Sequence, residues 1–272
     1  MWSTVVVHGQ EKTASPGKTY YENGQARAKQ GDFEAAIIEF SKAIELDAKN
    51  PSAYAARGNA RVNIGALEDA IADFTQAIAL DPSRRVPYIN RAVARVDQGD
   101  LAGAIDDYTK AISLDQKNAV VYRNRGCVKL QKGDVEGARA DFQQAVALAT
   151  DDAAYQRFYL LLLGLPQKPG AADAEFKNAV AGWKDGWKKS VGRFLAGELT
   201  EDGLMELAAQ GTPKAVREQK CEGAYYAGAV RLAKGDKAAA RAHFERCVAT
   251  QLHTFPEFQL ARAELAKIDK SK

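Results

Sequence analysis

Cysteine is nearly absent from this 272-residue chain: Cys127, Cys221 and Cys247 are the full set. None sits in a CxxC pair or beside a histidine cluster, which excludes a zinc site of the usual spacing. Cys221 and Cys247 fall in one expected helical hairpin, but their offset does not place them clearly opposite each other, so a disulfide is not the expectation. Histidine is also scarce, and His8, His243 and His253 are scattered away from any Ser, Cys or acid pattern of a triad or metal centre. No apolar run approaches the roughly 18 residues of a membrane helix, the longest being Phe158 to Leu163. Neither charge dominates, since 38 basic and 35 acidic residues leave +3, and neither sign forms a block that would track nucleic acid. Residues 1–16 lack the lysine-led start and apolar core of a signal peptide, and they carry no lipobox cysteine. They read as a disordered tail.

What the chain has is repetition. Tyr88, Ala92, Gly99, Ala104, Tyr108, Ala111 and Leu114 form a skeleton that recurs 34 residues earlier as Tyr54, Gly58, Gly65, Ala70, Phe74, Ala77 and Leu80. It recurs 34 residues later as Tyr122, Gly126, Gly133, Ala138, Phe142, Ala145 and Leu148. Such a period predicts two antiparallel helices per unit, A and B, whose apolar stripes are buried only by stacking units. Small residues at the eighth place (Gly24, Gly58, Ala92, Gly126) and the twentieth (Ala36, Ala70, Ala104, Ala138) mark the closest approach of A to B. The aromatic twenty-fourth place (Phe40, Phe74, Tyr108, Phe142) is expected to fill the wedge against the next unit. Gly31, Gly99 and Gly133 supply the left-handed turn after helix A, and the aspartate after each caps helix B. Asn50-Pro51 offers an N-cap with proline in the first helical position.

This is the signature of the tetratricopeptide repeat, and the fold class read from it is all-α, a right-handed solenoid of helix pairs with a terminal capping helix. Four regular units cover 17–152, after the tail at 1–16. A divergent segment occupies 153–220, where Ala172, Phe176 and Ala179 hold phase around a Gly164–Gly170 loop with two prolines. A clean unit returns at 221–254 (Gly228, Gly235-Asp236, Ala240, Phe244, Cys247). Residues 255–272 form the cap and tail.

Three features are candidates for function. Places 2, 5, 9, 12 and 13 share a face of helix A that A-to-B packing does not require. They vary while the core places repeat, and supply a partner-binding set of Asn59, Asn63, Ile89, Val93, Asp97, Arg123, Cys127 and Gln131. Amides, one cation and an apolar stripe suit an extended peptide. The competing reading assigns Val62, Val96 and Leu130 to inter-unit packing. The second feature is a charge ladder, with Arg57, Arg91 and Arg125 at place 7, Asp73, Asp107 and Asp141 at place 23, and Arg27, Arg61, Arg95 and Lys129 at place 11. Pairing in phase favours ion pairs between A and B over an anion track. The third is a secondary surface of Trp183, Trp187 and Lys188, read either as a partner surface or as core indoles with snorkelling neighbours.

The second half is similar to a narrower group. The YLLLLG helix, the tryptophan segment, RFLAGELTEDGLMELA, EGAYYAGAVRLAKGDKAAARAHF and CVATQLHTFPEFQLARAEL together resemble the NlpI-type bacterial envelope lipoproteins. The resemblance is specific at 155–265. It implies a non-enzymatic homodimeric scaffold for peptidoglycan hydrolases or a carboxy-terminal-processing protease, in the periplasm or cell envelope. No cofactor, metal or catalytic residue is expected: paired acids with a base, a nucleophile motif and a phosphate loop are all missing from 153–220. The alternative is a cytoplasmic co-chaperone-like module reading a C-terminal peptide. Asn59, Asn90 and Asn124 fit that clamp, whereas Ala55 and Val120 stand where it needs cations.

Overall fold

The computed structural model describes residues 16–149, 153–164, 174–253 and 255–270. Among them are fifteen α-helices and no strand, so the fold class is all-α as expected. The chain divides between Ala94 and Arg95 into two compact units.

The N-terminal unit holds α1 (Pro16–Lys29), α2 (Phe33–Leu46), α3 (Pro51–Asn63), α4 (Leu67–Leu80) and most of α5 (Arg85–Gln98). Each hairpin turns on a glycine that L side chains would strain: Gly31 has φ +81° and Gly65 +79°. Asp32 then accepts from the Ala35 N–H at 3.2 Å and opens α2. Asn50 does the same for α3, accepting from Ser52 and Ala53 ahead of Pro51. Helix α4 departs from the pattern, because Ala66 stands at its N-cap and offers no side chain. Glu68 and Asp69 in its first turn face the positive helix end instead.

The aromatic place works on two sides. A Cβ added to Gly24 would lie 2.6 Å from the Phe40 ring, and one on Gly58 would lie 2.8 Å from Phe74. Each ring therefore packs directly against the glycine of its own helix A. Phe40 also clusters with Ala60 of the following repeat, which is the wedge role expected from the sequence.

The C-terminal unit holds the end of α5, then α6 (Leu101–Leu114), α7 (Ala119–Lys132), α8 (Val135–Leu148), α9 (Ala154–Gly164) and α10 (Ala174–Gly182). It continues through α11 (Trp187–Leu195), α12 (Glu201–Ala208), α13 (Pro213–Ala233), α14 (Lys237–Val248) and α15 (Pro256–Lys270). The glycine–aspartate turn recurs: Gly133 has φ +91° with Asp134 capping Gly137, and Gly235 has φ +82° with Asp236 capping Ala239. Helix α13 runs 21 residues without a break, so the boundary drawn at 220/221 falls inside a helix. Ala172 and the loop through Gly170 lie outside the described residues. The core is aromatic: Phe142 stacks on Tyr159 at 4.9 Å, and Phe158 meets Tyr226 edge-on at 5.3 Å.

Helix α15 does more than the expected capping. It packs on α13 and α14 and also on α7. Its first turn is buried all round, with Glu257, Phe258, Gln259, Leu260 and Ala261 all inside. A cap that only shielded one hairpin would keep a polar outer face there.

Candidate functional site: the inner face of the A helices

In the N-terminal unit the face is open. Asn59 and Asn63 are exposed, and Ile89 and Val93 are half-buried. The Asn90 amide donates to the Asn59 side-chain oxygen at 2.8 Å, joining α3 to α5. The Asn63 amide donates to the Asn59 carbonyl at 2.8 Å. Val62 belongs to the packing against Ala70, Phe74 and Ala94, whereas Val86 is half exposed.

In the C-terminal unit several of the corresponding places are engaged by the chain itself. Cys127 is 3% exposed and sits in the main core. The Asp97 carboxylate accepts from the Gln259 amide of α15 at 2.5 Å. Burial pushes Asp97 up to about 6, against the lowering influence of His253, Arg262 and the Gln259 hydrogen bond. Arg123 is turned inward with its Nε buried and unpartnered. Burial works against its charge, but Tyr159, Cys127, Glu257 and Tyr226 together outweigh it and hold the guanidinium above its usual value. Gln131 is half-buried. Asp97, Arg123 and Cys127 are therefore not free for a partner, contrary to the sequence expectation. The register places them correctly on helix A, but nothing local signals that a helix more than a hundred residues later returns to cover them.

Behind this cover lies a buried polar cluster absent from the sequence reading. Glu257 accepts from the Tyr159 hydroxyl at 2.6 Å and the Tyr226 hydroxyl at 3.1 Å. Glu222 accepts from Tyr155 at 3.0 Å and from the Trp187 indole at 2.7 Å. Burial, reinforced by the nearby Glu257 charge, raises Glu222 to about 8 against the Trp187 and Tyr155 hydrogen bonds. The available signal was tyrosine and glutamate set inside otherwise apolar helical runs. These carboxylates are enclosed by hydroxyl and indole donors rather than opposed by a base or nucleophile. No group of three metal-ligating side chains occurs among the described residues.

The tryptophans resolve toward the core. Trp183 meets Phe158 edge-on at 5.6 Å and Phe176 at 6.3 Å, Trp187 bonds Glu222, and the Lys188 ammonium lies 5.5 Å from the Tyr155 ring centre. Their outer edges still line a groove of about 650 Å³ with Lys184 and Asp185.

The charge ladder is consumed by the fold. Arg57 grips Asp73 with two hydrogen bonds, at 3.0 and 2.8 Å, and Arg61 adds a third at 2.6 Å. Arg125 and Lys129 treat Asp141 likewise, and Arg95 bonds Asp107 at 2.8 Å. Each place-7 arginine also reaches the preceding repeat: Arg57 to Ser41, Arg91 to Thr75 and Arg125 to Thr109, at 2.9–3.0 Å. A hydroxyl recurring at place 25 was the overlooked sign of that link.

Comparison with known proteins agrees with this geometry. A family model described as TPR repeat matches residues 24–65 and 92–133, and one described as tetratricopeptide repeat matches 51–84 and 119–152. The chain thus carries tetratricopeptide repeats within 24–152, a fold that typically serves as a non-enzymatic interaction module. A tetratricopeptide repeat protein from Parabacteroides merdae covers 92% of this chain and 99% of its own at 16% identity, with a TM-score of 0.62. MamA from Desulfovibrio magneticus, residue 41 to its end, covers 57% of this chain and 86% of its own at 16% identity, with a TM-score of 0.53. Both likenesses are of fold. No curated protein matches the chain.

Proposed function

We propose that this protein is a non-enzymatic adaptor that holds an extended peptide, or a segment of a partner protein, on the inner face of α3 and α5. The observation carrying this is a division of labour within those helices. Tyr54, Arg57, Gly58 and Arg61 are committed to packing and ion pairs, whereas Asn59 and Asn63 point to solvent beside Ile89, Val93 and the half-exposed Val86. Asparagine amides satisfy an extended backbone, and the apolar stripe takes alternate side chains. The test is a pull-down with the triple variant Asn59→Ala, Ile89→Ala, Val93→Ala, its fold checked by circular dichroism. Partners retained by the parent protein are expected to be lost, and full retention by the folded variant removes this face from consideration.

The finer reading is an envelope-side adaptor, homodimeric, serving peptidoglycan hydrolases or a carboxy-terminal-processing protease. The likeness of residues 155–265 to the NlpI-type lipoproteins supports it. Cell fractionation places the protein with the envelope if this holds, and sedimentation gives twice the 29.5 kDa chain mass. Recovery wholly with cytoplasmic markers would overturn the location.

A further inference from the structure

Three thiols are buried in this chain, and two of them face each other. Cys221 on α13 and Cys247 on α14 stand with their sulfurs 3.1 Å apart and fully enclosed, although both are free thiols. The repeat register explains the meeting. Places 1 and 27 of a unit face each other across the hairpin, 26 residues apart; in the first unit a Cβ on Gly17 would lie 3.6 Å from the Ala43 carbonyl. Place 27 is otherwise alanine (Ala43, Ala77, Ala111, Ala145), and only the last hairpin carries cysteine at both places.

We infer that Cys221 and Cys247 are a disulfide-forming pair that covalently joins α13 to α14. The step is thiol–disulfide exchange with a small disulfide of the oxidised-glutathione class. One cysteine thiolate attacks a sulfur of that disulfide and releases one small thiolate, leaving a mixed disulfide on the protein. The second cysteine, having given up its proton, attacks the protein sulfur and expels the second small thiolate. The two cysteines lose two protons and two electrons, and the small disulfide becomes two thiols. Closing the bond requires the sulfurs to approach from 3.1 Å to about 2.05 Å. Reagent access requires the hairpin to open, so oxidation belongs to folding or to local unfolding of α13–α14. The folded site itself suppresses the thiolate: the Cys221 hydrogen bond, then burial, then the Cys221, Glu257 and Glu222 charges push Cys247 up.

Cys127 is buried without a cysteine partner and serves as the internal reference. The full chain is refolded in a reduced/oxidised glutathione buffer, then denatured under acid quench for thiol titration and peptide mapping. One thiol of three is expected to remain, at Cys127, with a cross-linked peptide joining Cys221 to Cys247. Adding reductant is expected to lower the melting temperature by several degrees, since the bond closes a loop of 26 residues. Cys127→Ala keeps both effects, whereas Cys221→Ala and Cys247→Ala each abolish them. Three free thiols after oxidative refolding, or a cross-link that includes Cys127, would overturn the assignment. Equal melting temperatures with and without reductant, in protein mapped as cross-linked, would count against the hairpin being held by it.

Discussion

The Glu257 carboxylate is the contact through which α15 is anchored, and its removal gives the sharpest test of the fold. Glu257→Ala strips the acceptor from two hydroxyls that have no access to water, Tyr159 at 1% exposed and Tyr226 at 0%. Each stranded donor costs about 1–3 kcal/mol. The substitution also removes the one carboxylate among the groups that hold the Arg123 guanidinium above its usual value. The effects overlap because they share one site, so the expected total is about 2–6 kcal/mol, a large fraction of a domain stability of about 5–15 kcal/mol. Glu257→Gln keeps an oxygen for the hydroxyls and loses only the charge, for about 1–3 kcal/mol. The assay is urea unfolding followed by tryptophan fluorescence, because Trp183 and Trp187 both pack in this unit. In a double-mutant cycle, Tyr159→Phe should cost less in the Glu257→Ala background than in the parent. A Glu257→Ala loss below about 1 kcal/mol, or strict additivity in that cycle, would refute a buried carboxylate anchoring α15.

Other outcomes follow from the same structure. Gly58→Ala drives a methyl to 2.8 Å from the Phe74 ring and is expected to cost about 1–3 kcal/mol by thermal melting; a neutral result would mean the ring retreats freely. Asp97 holds its proton more tightly when folded, at about 6 against 3.8. Its contribution is therefore greatest below pH 3.8 and is lost as the pH rises through 6. Asp97→Asn should flatten that part of the stability–pH curve, with the parent measured beside it because His253 and Arg262 face the same carboxyl. Glu222, raised to about 8, accepts from the Trp187 indole. Trp187 emission should titrate with a midpoint near pH 8 in the parent and not in Glu222→Gln.

The repeat architecture was legible from residue identities because each element of it depends on local chemistry. A glycine ends helix A in a left-handed turn, the next aspartate caps helix B, and a small eighth residue lies under an aromatic twenty-fourth. These relations sit within one 34-residue window, so periodicity alone reveals them. The same holds for the Arg57–Asp73 and Arg125–Asp141 bridges, which join places of fixed offset.

What periodicity could not supply is which part of that face stays open. Asp97, Arg123 and Cys127 occupy places equivalent to Asn63, Ile89 and Val93 in the neighbouring repeats, yet α15 and the Glu257–Tyr159–Tyr226 cluster pack against them. Contacts separated by more than a hundred residues depend on where the divergent segment 153–220 carries the chain, and that segment keeps only part of the repeat pattern. Sequence alone therefore determined the hairpins and their stacking chemistry. Tertiary structure decided that the C-terminal helix returns onto α7 and covers part of the inner face, because burial is set by the path of the whole chain rather than by any one period.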